Sequence, residues 1–162
     1  MTKQIIIGSD HAAFPLKEEL KKFLQTNGYD ITDVGTFSEE SVHYPHIAVQ
    51  VAQAVSEGRF KRGVLLCGTG LGMSMVANRF PHVRCGLCNE LFSAIMSRRH
   101  NNANILAMGG RVIGSALATE ILRAWLKTPF EGGRHAARLE MFDDMGLSSY
   151  DAQNDPVGTC TI

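Results

Sequence analysis

The sequence predicts an α/β protein: a single three-layer α/β/α domain built on a five-stranded parallel sheet, Rossmann-like in layout. Two observations carry this. Apolar runs of strand length alternate with helical patterns along most of the chain, and the central runs Ile5–Ile7, Val64–Cys67 and Ile105–Met108 are apolar without a polar alternation. Continuous apolar strands indicate a sheet covered on both faces, and strand–helix alternation indicates parallel crossovers. The 162 residues suffice for one domain with its own core.

Each element has a local reason. Gln4–Gly8 is a short β-rich run closed by glycine. Pro15 suits the first turn of a helix. Leu16, Leu20, Phe23 and Leu24 then give one apolar face, and Asn27-Gly28 stops it. Tyr29–Val34 is a second strand ended by Gly35. His46–Ser56 carries Ile47, Val51 and Val55 at helical spacing. Gly63–Cys67 is the third strand, and Gly72–Phe80 a short helix ended by Pro81. Val83–Cys88, Leu91–Arg99 and Asn104–Met108 read as strand, helix and strand. Ser115–Lys127 is a helix with Leu117, Ile121, Leu122 and Trp125 inward. A last helix runs from Arg134 to about Met145 after Gly132-Gly133. Residues 1–145 therefore form the domain, and 146–162 a polar tail expected to be poorly ordered.

Composition narrows the class. Hydrophobic residues make up 44% and charged residues 20%, ordinary for a soluble globular protein. The formal net charge is zero, which gives no electrostatic case for nucleic acid or a membrane surface. No apolar stretch approaches the ~20 residues of a membrane span. The N-terminal apolar run is too short for a signal peptide, and four cysteines (67, 85, 88, 160) make no disulfide framework. The expectation is a cytoplasmic protein with reduced thiols.

Sheets of this kind bind ligands at the carboxyl ends of their strands. Val64-Leu65-Leu66-Cys67-Gly68-Thr69-Gly70-Leu71-Gly72 delivers a thiol from a strand end into a loop with three glycines at alternate positions. Uncovered amides there can hold an anion or a developing negative charge. The spacing fits neither the dinucleotide fingerprint nor a Walker loop. Met73 stands where a phosphatase-type loop needs arginine. An anion hole and a tight structural turn both fit the glycines. Cys67 alone could be an inert buried thiol, but its strand-end position beside the glycines favours chemistry.

Asp10-His11 follows the first strand, where an aspartate could fix a sugar hydroxyl, orient an imidazole, or simply cap the helix. His100-Asn101-Asn102-Ala103-Asn104 is a polar cluster between helix and strand. Its histidine suits proton transfer to and from a sugar oxygen, and its asparagines also suit a helix end. Gly109-Gly110-Arg111 follows the fifth strand. Arg134 and Arg138 share one helix face beside His135, as a phosphate clamp or a solvated basic face. Cys85 and Cys88 point to opposite faces of a strand, which speaks against a redox or zinc pair.

Taken together, these motifs resemble the ribose-5-phosphate isomerase B family, which also includes the galactose-6-phosphate isomerase subunits. The resemblance runs from Ile5 to about Met141. It rests on Gly8-Ser9-Asp10-His11, Asp33-Val34-Gly35-Thr36, Tyr44-Pro45-His46, Cys67 to Gly72, Ala77-Asn78, Ser97 to Asn101, Ala107 to Arg111 and Phe130 to His135.

The resemblance implies an aldose–ketose isomerase of the pentose phosphate pathway, converting D-ribose 5-phosphate and D-ribulose 5-phosphate through a cis-enediolate, with no metal or cofactor. It implies that Cys67 is the base between C2 and C1, and that Thr69 and the loop amides hold the enediolate oxygen. His100, helped by Asp10, would open the furanose ring. His11, Arg134 and Arg138 would bind phosphate. Tyr44, Gly68, Gly70, Gly72, Ser74, Asn101, Arg111 and His135 would complete substrate binding. Some family members carry a glutamate in the glycine loop in place of the cysteine; here Cys67 stands with no carboxylate before Asn78.

The resemblance also implies a homodimer, or a tetramer, with sites shared between subunits and the C-terminal helix packed on the partner. Two alternatives stand beside it: an isomerase of a six-carbon aldose phosphate such as allose 6-phosphate, and a non-catalytic sugar-phosphate-binding protein. The segment 146–162, with Cys160, has no counterpart in these motifs.

Overall fold

A computed structural model gives the fold and describes residues 3–143. Five parallel strands run Lys3–Ser9 (β1), Tyr29–Asp33 (β2), Gly63–Cys67 (β3), Cys85–Leu87 (β4) and Ile105–Gly109 (β5). Six helices connect and follow them: Phe14–Thr26 (α1), Tyr44–Ser56 (α2), Leu71–Ala77 (α3), Leu91–Arg99 (α4), Ser115–Lys127 (α5) and Arg134–Asp143 (α6). The sheet order is β2-β1-β3-β5-β4, all neighbours parallel. The chain direction across the sheet reverses between β1 and β3, so the crevice beyond their carboxyl ends is the ligand position of an open α/β sheet.

The core lies on both faces, as the continuous apolar strands require. Ile5, Ile7, Val64, Leu66, Leu106 and Met108 pack under α1, α4 and α5 with Leu20, Leu24 and Trp125. Ile6, Leu65, Cys67, Ile105 and Ala107 pack under α2 and α3 with Val51, Met73 and Phe80. Period-two alternation along β3 thus sends Val64 and Leu66 to one layer, and Leu65 and Cys67 to the other. Cys85 and Cys88 likewise fall in opposite layers.

Some boundaries differ from the sequence reading. β4 is only three residues long. Before it, the Arg84 carbonyl accepts the Asn104 N–H at 3.0 Å, while the Asn104 side chain takes up the Arg84 N–H at 2.8 Å and donates to the His82 carbonyl at 2.7 Å. α2 begins at Tyr44 with Pro45 in its first turn, and α3 ends at Ala77. Leu117, expected inward, is exposed, while Ala118, Ile121, Leu122 and Trp125 form the buried face of α5. The expected end of α6 near Met145, and the tail 146–162, lie outside the described residues.

One buried ion pair braces the β2 exit. Lys17 is fully buried, and its ammonium donates to both Asp33 carboxylate oxygens and to the Thr36 carbonyl at 2.6 to 2.8 Å. Burial alone would raise the Asp33 pKa, but Lys17, Lys21 and the Gly35 N–H together hold it below the ordinary value.

Candidate active site

β3 ends on Cys67, which is 5% exposed, and the glycine loop folds back over it. The Gly70 N–H donates to Cys67 Sγ at 3.1 Å, fixing where the sulfur sits. Gly70 has φ +80, and a Cβ there would meet Leu87 Cδ1 at 2.4 Å and the Met108 carbonyl carbon at 2.9 Å. Only glycine turns the chain there without strain. A Cβ on Gly72 would meet the Tyr44 ring at 2.6 Å, so that glycine lets Tyr44 close over the loop.

The loop is fastened to β5. Gly110 N–H donates to the Cys67 carbonyl at 2.8 Å, and Arg111 N–H to the Gly68 carbonyl at 3.0 Å. Among the described residues, the backbone N–H groups of Gly68, Thr69 and Gly72 donate to no protein acceptor. They are the uncovered donors that an anion hole requires. Thr69 is exposed at the rim and its hydroxyl takes up the Leu71 N–H at 3.3 Å. Ser74 is buried, and its hydroxyl donates to the Leu71 carbonyl at 2.8 Å, within the first turn of α3.

β1 delivers Asp10 and His11 to the same crevice. Asp10 N–H bonds the Leu66 carbonyl at 3.0 Å, one residue before Cys67. Its carboxylate takes up the Ala12 N–H at 3.0 Å. Burial pushes its pKa up; His11, the Ala12 and Ala13 amides and Arg111 oppose the rise without cancelling it. Asp10 thus caps the turn after β1 while remaining at the crevice. His11 Nδ1 accepts the Val42 N–H at 3.3 Å, so in the neutral ring the proton sits on Nε2. Arg111, exposed, lays its side chain along Gly68. Next to His11, Val34, Gly35, Thr36, Phe37, Val42 and His46 border an open groove of about 470 Å³.

Asp10, His11, Tyr44, Cys67, the loop from Gly68 to Ser74 and Arg111 therefore gather at the carboxyl end. The other sequence candidates lie at the opposite end. α4 runs back against the strands, and His100 closes it, just before Gly63 N–H meets the Asn104 carbonyl at 2.9 Å. Gly63 and Ile105 start their strands together, and Cys67 and Gly109 end them together. A strand of this length spans about 13 Å, so one chain does not bring His100 to Cys67.

At that amino end His100 and His135 stack, ring centroids 4.2 Å apart and planes within 7°. Glu131 Oε2 lies 3.7 Å from His100 Nε2 and 3.6 Å from His135 Nε2. α6 turns His135 and Leu139 inward and leaves Arg134 and Arg138 exposed, as Asn101 is. Burial lowers the His135 pKa, and His100 and Arg134 lower it further. These two imidazoles and the carboxylate are the described residues best grouped to hold a metal. Parallel rings do not aim their in-plane lone pairs at one point, however, and Arg99 already occupies the carboxylate. The arrangement suits holding a proton better than a cation.

Two further side chains stand out: Asn89, which the sequence places at the carboxyl end of the fourth strand, and Glu131, whose grouping the sequence does not show. Asn89 follows β4, its Oδ1 taking up the Gly109 N–H at 2.8 Å and its Nδ2 reaching the Thr69 carbonyl at 3.4 Å, so it ties the loop to β5. Glu131 is the other. Its partners are 31 and 4 residues away, and only the fold reveals the group.

Comparisons with known proteins give the family of the chain. Residues 5–142 match the family model described as Ribose/Galactose Isomerase. The chain is 48% identical over 138 residues to ribose-5-phosphate isomerase B of Escherichia coli (strain K12), covering 85% of this chain and 93% of that one. It is 44% identical over 137 residues to a D-erythrulose-4-phosphate isomerase of Pectobacterium atrosepticum, covering 84% and 90%. The structure of Clostridium thermocellum ribose-5-phosphate isomerase B superposes with a TM-score of 0.86 at 48% identity, covering 88% of this chain and 96% of that one. With the sheet, the thiol loop and these likenesses in agreement over nearly all the described residues, the chain belongs to the Ribose/Galactose Isomerase family.

Proposed function

We propose that the chain is an aldose–ketose isomerase interconverting D-ribose 5-phosphate and D-ribulose 5-phosphate through a cis-enediolate. One observation carries the reading: a thiol sulfur held by the Gly70 N–H, beside loop amides with no protein acceptor. Enolisation needs a base at the C–H bond and donors at the neighbouring oxygen, and this loop supplies both.

Cys67 takes the proton from C2 of the open aldose and returns it at C1, while the C2 hydroxyl proton passes to the C1 oxygen and leaves the ketone at C2. The electrons of the C2–H bond form the enediolate double bond, and charge collects on the C1 oxygen. The Thr69 hydroxyl and the loop amides hold that oxygen. His11 Nε2–H faces phosphate, a role that its Nδ1 bond to Val42 favours. Tyr44 and Arg111 wall the site beside the glycines.

His100, Asn101, Arg134, His135 and Arg138 come to this loop from a second copy of the chain. The separation of the two groups within one subunit supports a homodimer with shared sites. The substrate reading is tested by comparing kcat/KM for ribose 5-phosphate with those for four-carbon and six-carbon aldose phosphates. A preference for ribose 5-phosphate is expected. A preference for a six-carbon sugar keeps the chemistry and changes the substrate, and no turnover of any aldose phosphate overturns the reading.

A further inference from the structure

The proton machinery at the amino end contains a carboxylate that enolisation does not use. Glu131 stands in the turn between α5 and α6. Its backbone N–H donates to the Arg99 carbonyl at 3.0 Å, and the Arg99 guanidinium pairs with its Oε1. Held at both points, Glu131 presents its other oxygen to His100 Nε2 and His135 Nε2. His135 backs the His100 ring as a parallel plate.

We infer that Glu131 is a positioning residue for ring opening: its carboxylate, 3.7 Å from His100 Nε2, orients the ring by its charge and leaves Nδ1–H as the donor to the furanose ring oxygen. The inference rests on the isomerase reading.

The charges around the stack support it. Two imidazolium rings 4.2 Å apart would repel, so the stack carries one positive charge at most. His135 is the buried ring, and burial with the nearby His100, Arg134 and Arg138 lowers its proton affinity despite Glu131. Glu131 is the carboxylate beside both rings, already shared with Arg99. His100 is the more exposed ring, its side chain 39% exposed against 8% for His135.

The step balances. His100 Nδ1 gives its proton to the furanose ring oxygen, O4. The C1–O4 bond breaks, its electron pair going to O4. The C1 hydroxyl proton passes to Asp10, a buried carboxylate with raised proton affinity, and the aldehyde forms. His100 is left neutral, its Nε2–H still directed at Glu131.

The test separates ring opening from enolisation. D-Ribulose 5-phosphate cannot close a furanose ring, because its 5-hydroxyl is esterified. Its C1 proton exchange in D2O needs Cys67 and no ring opening. An aldotetrose 4-phosphate is a second ring-free probe, since its 4-hydroxyl is esterified. Glu131→Gln keeps the size of the side chain and removes the charge. It is expected to lower kcat/KM for ribose 5-phosphate about tenfold, a part of what general acid catalysis contributes. Exchange at C1 of ribulose 5-phosphate and turnover of the tetrose phosphate should stay near wild type, and Glu131→Asp should recover part of the loss. Equal losses on ring-forming and ring-free substrates, or no loss on either, overturn the inference. A wild-type protein that converts none of these sugars overturns the isomerase reading instead.

Discussion

The two ends of the sheet solve the same problem differently. At the carboxyl end, the functional atoms hang from buried strands: Cys67 closes β3, and Asp10 follows β1. At the amino end, they hang from helix ends and a turn: His100 closes α4, Glu131 precedes α6, and His135 opens it. The first group is placed by hydrogen bonds to backbone, the second by side chains holding one another. Strand ends give a rigid base. Helix ends on the surface give groups that can project beyond the subunit, as a site shared between two copies requires.

Experiments can break this contrast. The largest effect is expected from Cys67→Ala, which removes the proposed base. Turnover should fall by at least about a thousandfold while phosphate binding persists. A variant that remained fully active would remove Cys67 from the mechanism. Next comes complementation. Cys67→Ala and His100→Asn proteins, each inactive alone, should regain about a quarter of wild-type activity once subunits are mixed and allowed to exchange. Half the dimers are then hybrids, and each hybrid has one intact shared site. No recovery, with exchange verified, would place each site within a single chain.

A smaller effect on turnover, but a large one on folding, is expected from Gly70→Ala. A side chain at φ +80 with backbone 2.9 Å away should cost about 2–4 kcal/mol in a denaturant titration. The smallest effect distinguishes chemistry from capping at Asp10. Its folded pKa is raised, so the unfolded chain loses this proton first, and stability falls as pH rises from about 3.8 upward. Asp10→Asn removes that cost and can still cap the turn. The melting temperature at neutral pH should rise by a few degrees while kcat falls, and the difference in stability should shrink toward pH 4. A drop in stability at neutral pH would show that capping by the charge dominates.

Much of the fold is legible in the sequence because its strands are buried on both faces. Gly63 to Cys67 and Ile105 to Gly109 are buried at every position, and such runs stand out. β4 is less legible: it sits at the sheet edge and is only three residues long. Leu117 misleads because Ala118 takes the inward place one position later on α5. In the site, Cys67, Asp10 and Tyr44 are legible from motifs of a few residues. Asn89 is legible as a strand-end residue but its ties to Gly109 and Thr69 are not, and the Glu131 group is not, because each works through residues distant in the chain. Nor does the sequence separate the candidates by sheet end. That division follows from the direction of α4 and the common start of β3 and β5.

The fastening of the glycine loop has a dynamic consequence. Functional loops usually open at little cost and exchange their amides quickly. Here the Gly110 and Arg111 amides are spent on the Cys67 and Gly68 carbonyls, and Asn89 takes up the Gly109 amide. These three hydrogens should exchange with solvent only when the central strands themselves come apart. The proposed base then fluctuates no more than the middle of the sheet does, and the mobile partner in each encounter is the sugar.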